Sequence, residues 1–150
     1  LEAAQGDREL EDKFVIDISD LKTVADTYFS KIDSPDAVFI GCPHASLDEI
    51  KEISTLLRGK KIRDGVRFWI FTSRYILEQV KNEPIYNILE NAGVKIFADT
   101  CMVVAPIEEI GIRKVWTNGS KAAWYIPKFA GRKIQVEVKP ISDIISMIAE

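Results

Sequence analysis

Phe39-Ile-Gly-Cys-Pro-His-Ala-Ser-Leu-Asp-Glu-Ile50 reads as a buried strand running directly into a helix. An apolar run that starts at Ala37 stops at Gly41. Ser46, with Glu49 three positions on, then forms a capping box ahead of an apolar helical face. A thiol, Cys42, and an imidazole, His44, therefore sit where a strand hands over to a helix. Ligands of parallel α/β sheets bind at the carboxyl ends of strands.

Working outward, the same alternation recurs. Phe14 to Ile18 reads as a short strand, and Ser19 or Asp20 can cap a helix running to about Lys31. Leu47 to Leu57 carries apolar residues at helical spacing. Arg67 to Thr72 and Val94 to Ala98 are apolar strands, separated by helices over Arg74 to Asn82 and Ile85 to Asn91. Lys114 to Thr117 is a short strand and Ser120 to Tyr125 a helical turn or more. Lys133 to Val138 alternates as a strand, and Pro140 opens a last helix with Ile141, Ile144, Ile145 and Ile148 on one face. Cys101 to Ala105 is apolar without a clear period. The expected fold class is α/β: a three-layer sandwich with a mostly parallel sheet flanked by helices.

The chain has 150 residues and a net charge of −3, with 23 acidic and 20 basic side chains. That length suits one domain with a real core. The charge and the absence of a basic tract argue against a nucleic-acid partner. No apolar run reaches the roughly 20 residues of a membrane span. Two cysteines and no secretory signal fit a reducing, cytoplasmic setting. The first residue is Leu1 and not Met, and Leu1 to Asp12 are charged without strand character. Residues 1–12 read as a boundary or linker segment, and residues 13–150 as a single α/β domain from a longer chain.

Four loops end apolar strands with groups suited to chemistry: Gly41 to His44, Thr72 to Arg74, Asp99 to Cys101, and Thr117 to Lys121. Each also has a plainer account. Free cysteines are most often inert core thiols, and these two lack the spacing of a local metal site. His44 can be a surface residue. Ser73 and Arg74 can be a helix cap and a solvated cation, although an arginine just past a strand end also suits a carboxylate or phosphate. Asn118, Ser120 and Lys121 form a turn that resembles a small anion-binding loop without the spacing of a Walker loop. The acidic helix face Asp48, Glu49, Lys51, Glu52 reads as solvated. A metal-free, Rossmann-like module for a small molecule or phosphate accounts for the same pattern.

Taken together, four segments resemble the aconitase X family: Gly41-Cys-Pro-His-Ala-Ser-Leu-Asp-Glu-Ile50, Phe71-Thr-Ser-Arg74, Ala98-Asp-Thr-Cys-Met-Val-Val-Ala-Pro106 and Thr117-Asn-Gly-Ser-Lys-Ala-Ala123. The likeness runs over most of residues 36–127 and corresponds to the carboxyl-terminal part of the family's large subunit. One departure is visible: the family pattern is Thr-Asn-Ser-x-Lys, and here Gly119 displaces the serine by one position. The resemblance implies a hydro-lyase that dehydrates a small hydroxy acid, a phosphorylated mevalonate in archaeal members and a hydroxyproline type in bacterial ones. It implies an iron–sulfur cluster, of the 4Fe–4S kind, held by three cysteines, two of which match Cys42 and Cys101. The third would lie outside this chain, so the chain alone is expected to lack the cluster. His44 is the implied proton donor. Ser73, Arg74, Thr100, Asn118, Ser120 and Lys121 are the implied substrate contacts. The implied partners are the remainder of the large subunit and a small swivelling subunit carrying a base serine.

Overall fold

A computed structural model of the protein describes residue 6 and residues 14–28, 31–130 and 133–150. Helix α1 spans Ile18–Tyr28, followed by strand β1 Ala37–Ile40 and helix α2 Leu47–Leu56. Strand β2 is Arg67–Thr72, and helices α3 Arg74–Lys81 and α4 Ile85–Asn91 lead to β3 Val94–Ala98. Turns over 101–111 precede β4 Lys114–Thr117. Helix α5 Ser120–Tyr125 continues into a π-helical turn Ile126–Ala130, then β5 Gln135–Val138 and α6 Ile141–Ile148 close the order.

The five strands form one sheet in the order β3-β2-β1-β4-β5, with every pair parallel. Val38 of β1 lies opposite Phe68 of β2 and Trp116 of β4. The apolar runs are continuous because the inner strands are covered on both faces. Successive side chains of β1 point to opposite faces. Val38 and Ile40 join Phe68, Ile70 and Trp116 under Ile50 and Ile53 of α2, Leu57 at its C-cap and the isoleucines of α6. Ala37 and Phe39 face the other way, against Met102 and Ile107 of the turn segment, Ile112 just after it, and Ala122, Ala123 and Ile126 of the α5 region. These are the three layers of the expected sandwich.

The amino-terminal strand does not form. Residues 14–17 carry no strand, and Phe14, Val15 and Ile16 are exposed. Asp17, not Ser19, caps α1: its Oδ1 accepts from the Ser19 and Asp20 backbone N–H groups at 2.7 and 3.1 Å. Asp20 Oδ2 accepts the Asp17 N–H in return at 3.0 Å. This reciprocal pair satisfies helix-start donors locally and outweighs the strand preference of the apolar run. Of the proposed 1–12 boundary segment, all but Gly6 lies outside the described residues. Elsewhere β5 starts at Gln135, two residues later than the alternation suggests.

Gly41 makes the β1 exit possible. Its φ is +105°, and a Cβ there would collide with the Phe71 carbonyl of β2. Gly41→Ala combines left-handed strain with a backbone clash, so denaturant unfolding should show a loss of about 3 kcal/mol or more. Gly59→Ala, at φ +76° with open space around it, should lose only about 1 kcal/mol through backbone strain. Equal losses at the two sites would contradict the close-approach account.

Candidate functional site

The sheet order reverses between β1 and β4, and the crevice outside such a switch point is where open α/β sheets take ligands. The loops after β1 and β4 flank it. They approach closely: a Cβ on Gly119 would lie 3.1 Å from the Cys42 carbonyl oxygen. The β1 loop is also pinned to β2, where Ala45 N–H donates to Phe71 O at 2.8 Å and Thr72 Oγ1 donates to Ala45 O at 2.7 Å. The Cys42–Pro43 peptide is cis.

A cavity of about 530 Å³ opens here, and its lining includes Cys42, His44, Cys101, Val103, Lys121 and Tyr125. Both thiols are unpaired and half-buried. Burial pushes the Cys42 thiol above its ordinary value, and the neighbouring Cys101 adds to the rise. The Lys121 ammonium at the rim acts in the opposite sense. The thiols are therefore close enough to feel one another although they come from β1 and β3, which are not adjacent in the sheet. His44 Nε2 lies 3.0 Å from Thr100 O. A carbonyl oxygen only accepts, so Nε2 carries the proton and Nδ1 is the acceptor of a neutral ring.

The structure thus gathers four of the residues singled out in the sequence, Cys42, His44, Cys101 and Lys121, around one cavity. The others lie around it without lining it. Ser73 caps α3, its Oγ accepting from Ile76 N–H at 3.2 Å. The exposed Arg74 binds Asp99 twice, through its backbone N–H to Oδ1 at 2.9 Å and its guanidinium to Oδ2 at 2.8 Å. The Arg74 backbone N–H holds the Asp99 carboxyl below the ordinary carboxylate range, helped by the guanidinium charge. Thr100 contributes its carbonyl to His44. Asn118 Nδ2 donates to Glu49 Oε1 at 3.3 Å. Ser120 is exposed, and the cap position of α5 belongs to Gly119, which makes no side-chain cap bond.

Three roles escaped the sequence reading. Glu49 does more than close the expected capping box with Ser46 through Oε2: its Oε1 also reaches Asn118. Asp99 organises the β3 exit. Tyr125 lines the cavity, and its i+4 relation to Lys121 on α5 was a signal that could have found it.

Two soft sulfur donors, a cation that favours the thiolate, and a wall that includes Val103 and Tyr125 fit part of the ligand set of an iron–sulfur group. No group of three or more His, Cys, Asp or Glu side chains able to hold a metal occurs among the described residues. The two thiols would fit two ligand positions of such a group.

A doubly wound parallel domain with a thiol pair at its switch point defines the class. The family model for the third domain of aconitase X matches residues 35–149, and the chain belongs to the aconitase X family. It is 38% identical over 123 residues to the phosphomevalonate dehydratase large subunit of Methanocaldococcus jannaschii, covering 82% of this chain and 30% of that protein. It is 31% identical over 137 residues to the cis-3-hydroxy-L-proline dehydratase of Hypocrea jecorina, covering 89% and 23%. The crystal structure of Thermococcus kodakaraensis aconitase X in its holo form superposes with a TM-score of 0.79 at 33% identity, over 93% of this chain and 36% of that one. The chain spans less than a third of the curated relatives' length.

The thiol electrostatics are directly measurable. Because the Cys42 value is raised, its alkylation by iodoacetamide should be slow at neutral pH and accelerate as the pH passes the ordinary thiol value. Lys121→Met removes the one lowering influence, so alkylation of Cys42 at a fixed pH should slow further. Mass-spectrometric rates that do not change in the variant would contradict the placement of Lys121.

Proposed function

We propose that this chain is the third-domain portion of the large subunit of an aconitase X dehydratase, acting in an archaeal cytoplasm on 5-phosphomevalonate. The reaction eliminates water to give the anhydro phosphate of the isoprenoid pathway. The observation that carries this reading is the pair of thiols from two separate strand ends on one cavity. It is supported by the phosphomevalonate dehydratase large subunits among the chain's relatives. No helix among the described residues is long and apolar enough to cross a membrane, which accords with this setting.

Elimination from a 3-hydroxy acid needs an acid for the leaving hydroxyl, a base for the carbon-bound proton and cations for the anionic groups. When bound, an iron–sulfur cluster of the 4Fe–4S kind with one open iron supplies the Lewis acid. Cys42 and Cys101 provide two of its thiolate ligands, and the remainder of the large subunit provides the third. Lys121 at the rim faces the substrate's negative charge. His44 is held by Thr100 through Nε2, so only an imidazolium with a proton on Nδ1 can pass a proton to the leaving hydroxide. Ser73, Arg74, Thr100, Asn118 and Ser120, on the segments that follow β2, β3 and β4, would supply further substrate contacts. The base serine comes from the small swivelling subunit, and the isolated chain is inactive.

The metal-free phosphate-binding alternative has weaker footing, because it gives the two thiols on one cavity no part.

In the complete two-subunit enzyme, Cys42→Ser and Cys101→Ser should each abolish 5-phosphomevalonate turnover and iron binding while the fold is retained, because a hydroxyl replaces a soft ligand with little change in volume. Iron content and turnover are measured together. Full activity in either variant overturns the assignment.

A further inference from the structure

Asp99 is the single non-glycine residue with positive φ, +56°, among the described residues. It stands at the end of β3, two residues before Cys101, and three hydrogen bonds hold it. Its N–H donates to Thr72 O at 3.0 Å. Its two carboxylate oxygens accept separately from the Arg74 backbone N–H and guanidinium, at 2.9 and 2.8 Å. A non-glycine residue in this backbone region is disfavoured and persists only where the surroundings over-determine it. The next residue, Thr100, is fastened in turn to the β1 loop by His44. The chain leaving β3 is thus bound first to the joint between β2 and α3 and then to the segment after Cys42.

We propose that Asp99 is a positioning residue for the Cys101 thiol. Gripped by Arg74 in a left-handed turn, it directs the chain back across the end of β2, so that Cys101 meets Cys42 at the cavity. The inference deepens the reading of the two thiols as ligands of one group, and it assigns Arg74 a part in that alignment besides any contact with substrate. A carboxylate is suited to this position: aspartate tolerates the left-handed region better than most side chains, and its two oxygens receive two separate donors.

The test uses the metal-free, fully reduced chain and phenylarsine oxide. The arsenical condenses with two neighbouring thiols, forming two As–S bonds and releasing one water. Affinity is measured by competition with 2,3-dimercaptopropanol, and circular dichroism reports folding. The chain should bind the arsenical far more tightly than its Cys101→Ser variant does. Asp99→Gly keeps the backbone conformation and removes the clamp, and should bind about tenfold more weakly, equivalent to one charge-assisted hydrogen bond. Asp99→Asn, which retains an acceptor and tolerates the turn, should restore most of the affinity. If Asp99→Gly fails to fold, Arg74→Ala at the exposed side of the clamp should weaken binding about threefold. Wild-type affinity in Asp99→Gly overturns the proposal, and so does wild-type affinity in Arg74→Ala where that variant replaces it. A wild-type chain that binds no better than Cys101→Ser overturns it too. Tight arsenical binding in a chain whose assembled enzyme holds no iron would refute the cluster reading and leave the role of Asp99 standing.

Discussion

The close approach of Gly41 to the Phe71 carbonyl is the constraint on which the rest of the molecule depends. It lets the chain leave β1 pressed against the end of β2, so that Ala45 N–H can take that carbonyl as a partner at 2.8 Å. Ala45 O then receives the Thr72 hydroxyl. With these contacts made, Cys42 lies above the sheet end and Ser46 is placed to start α2. Because Glu49 of that capping box also reaches Asn118, one helix start fixes the loops after both β1 and β4. A side chain at position 41 would disturb the strand exit, the helix entry and the crevice together.

The strands and helices were legible because burial on both faces leaves an unmistakable trace. Arg67–Thr72, Ile85–Asn91, Val94–Ala98 and Lys114–Thr117 have the bounds their apolar runs suggest. The largest departure is at residues 14–17, where β-prone side chains precede a helix. An aspartate pair three residues apart decided that contest, and the apolar pattern there carried no information about burial. The same competition between local hydrogen bonding and side-chain preference explains why Ser19 looked like a cap when Asp17 was one.

The site was legible in part. Cys42, His44, Cys101 and Lys121 announce themselves as polar punctuation after apolar strands, and a parallel sheet must put such loops on one edge. Their partners did not, because strand order is not written locally. Nothing near Asn118 indicates that β4 lies beside β1, so its bond to Glu49 was out of reach. Nothing near Arg74 shows that its neighbour would be the turn after β3. The half-buried carboxylate of Glu137 is a further case. It accepts from Trp116 Nε1 and the Ile32 N–H and pairs with Lys139 at 2.8 Å, an arrangement that exists only once β5 lies against β4.

The thiol pair has a thermodynamic side. Cys42 and Cys101 are distant along the chain and meet only when β1, β2 and β3 are aligned and the turn segment carrying Met102 has docked on the sheet. An unfolded chain offers the two sulfurs separately. Any species that bridges both therefore favours the native state, and its preference for that state is added to folding energy. For a species with no affinity for the unfolded chain, at a free concentration a hundredfold above the dissociation constant, that linkage raises stability by about 2.7 kcal/mol. Occupancy of this cavity is thus also a report on the folded population, and the domain's melting temperature becomes a gauge of what its two sulfurs hold.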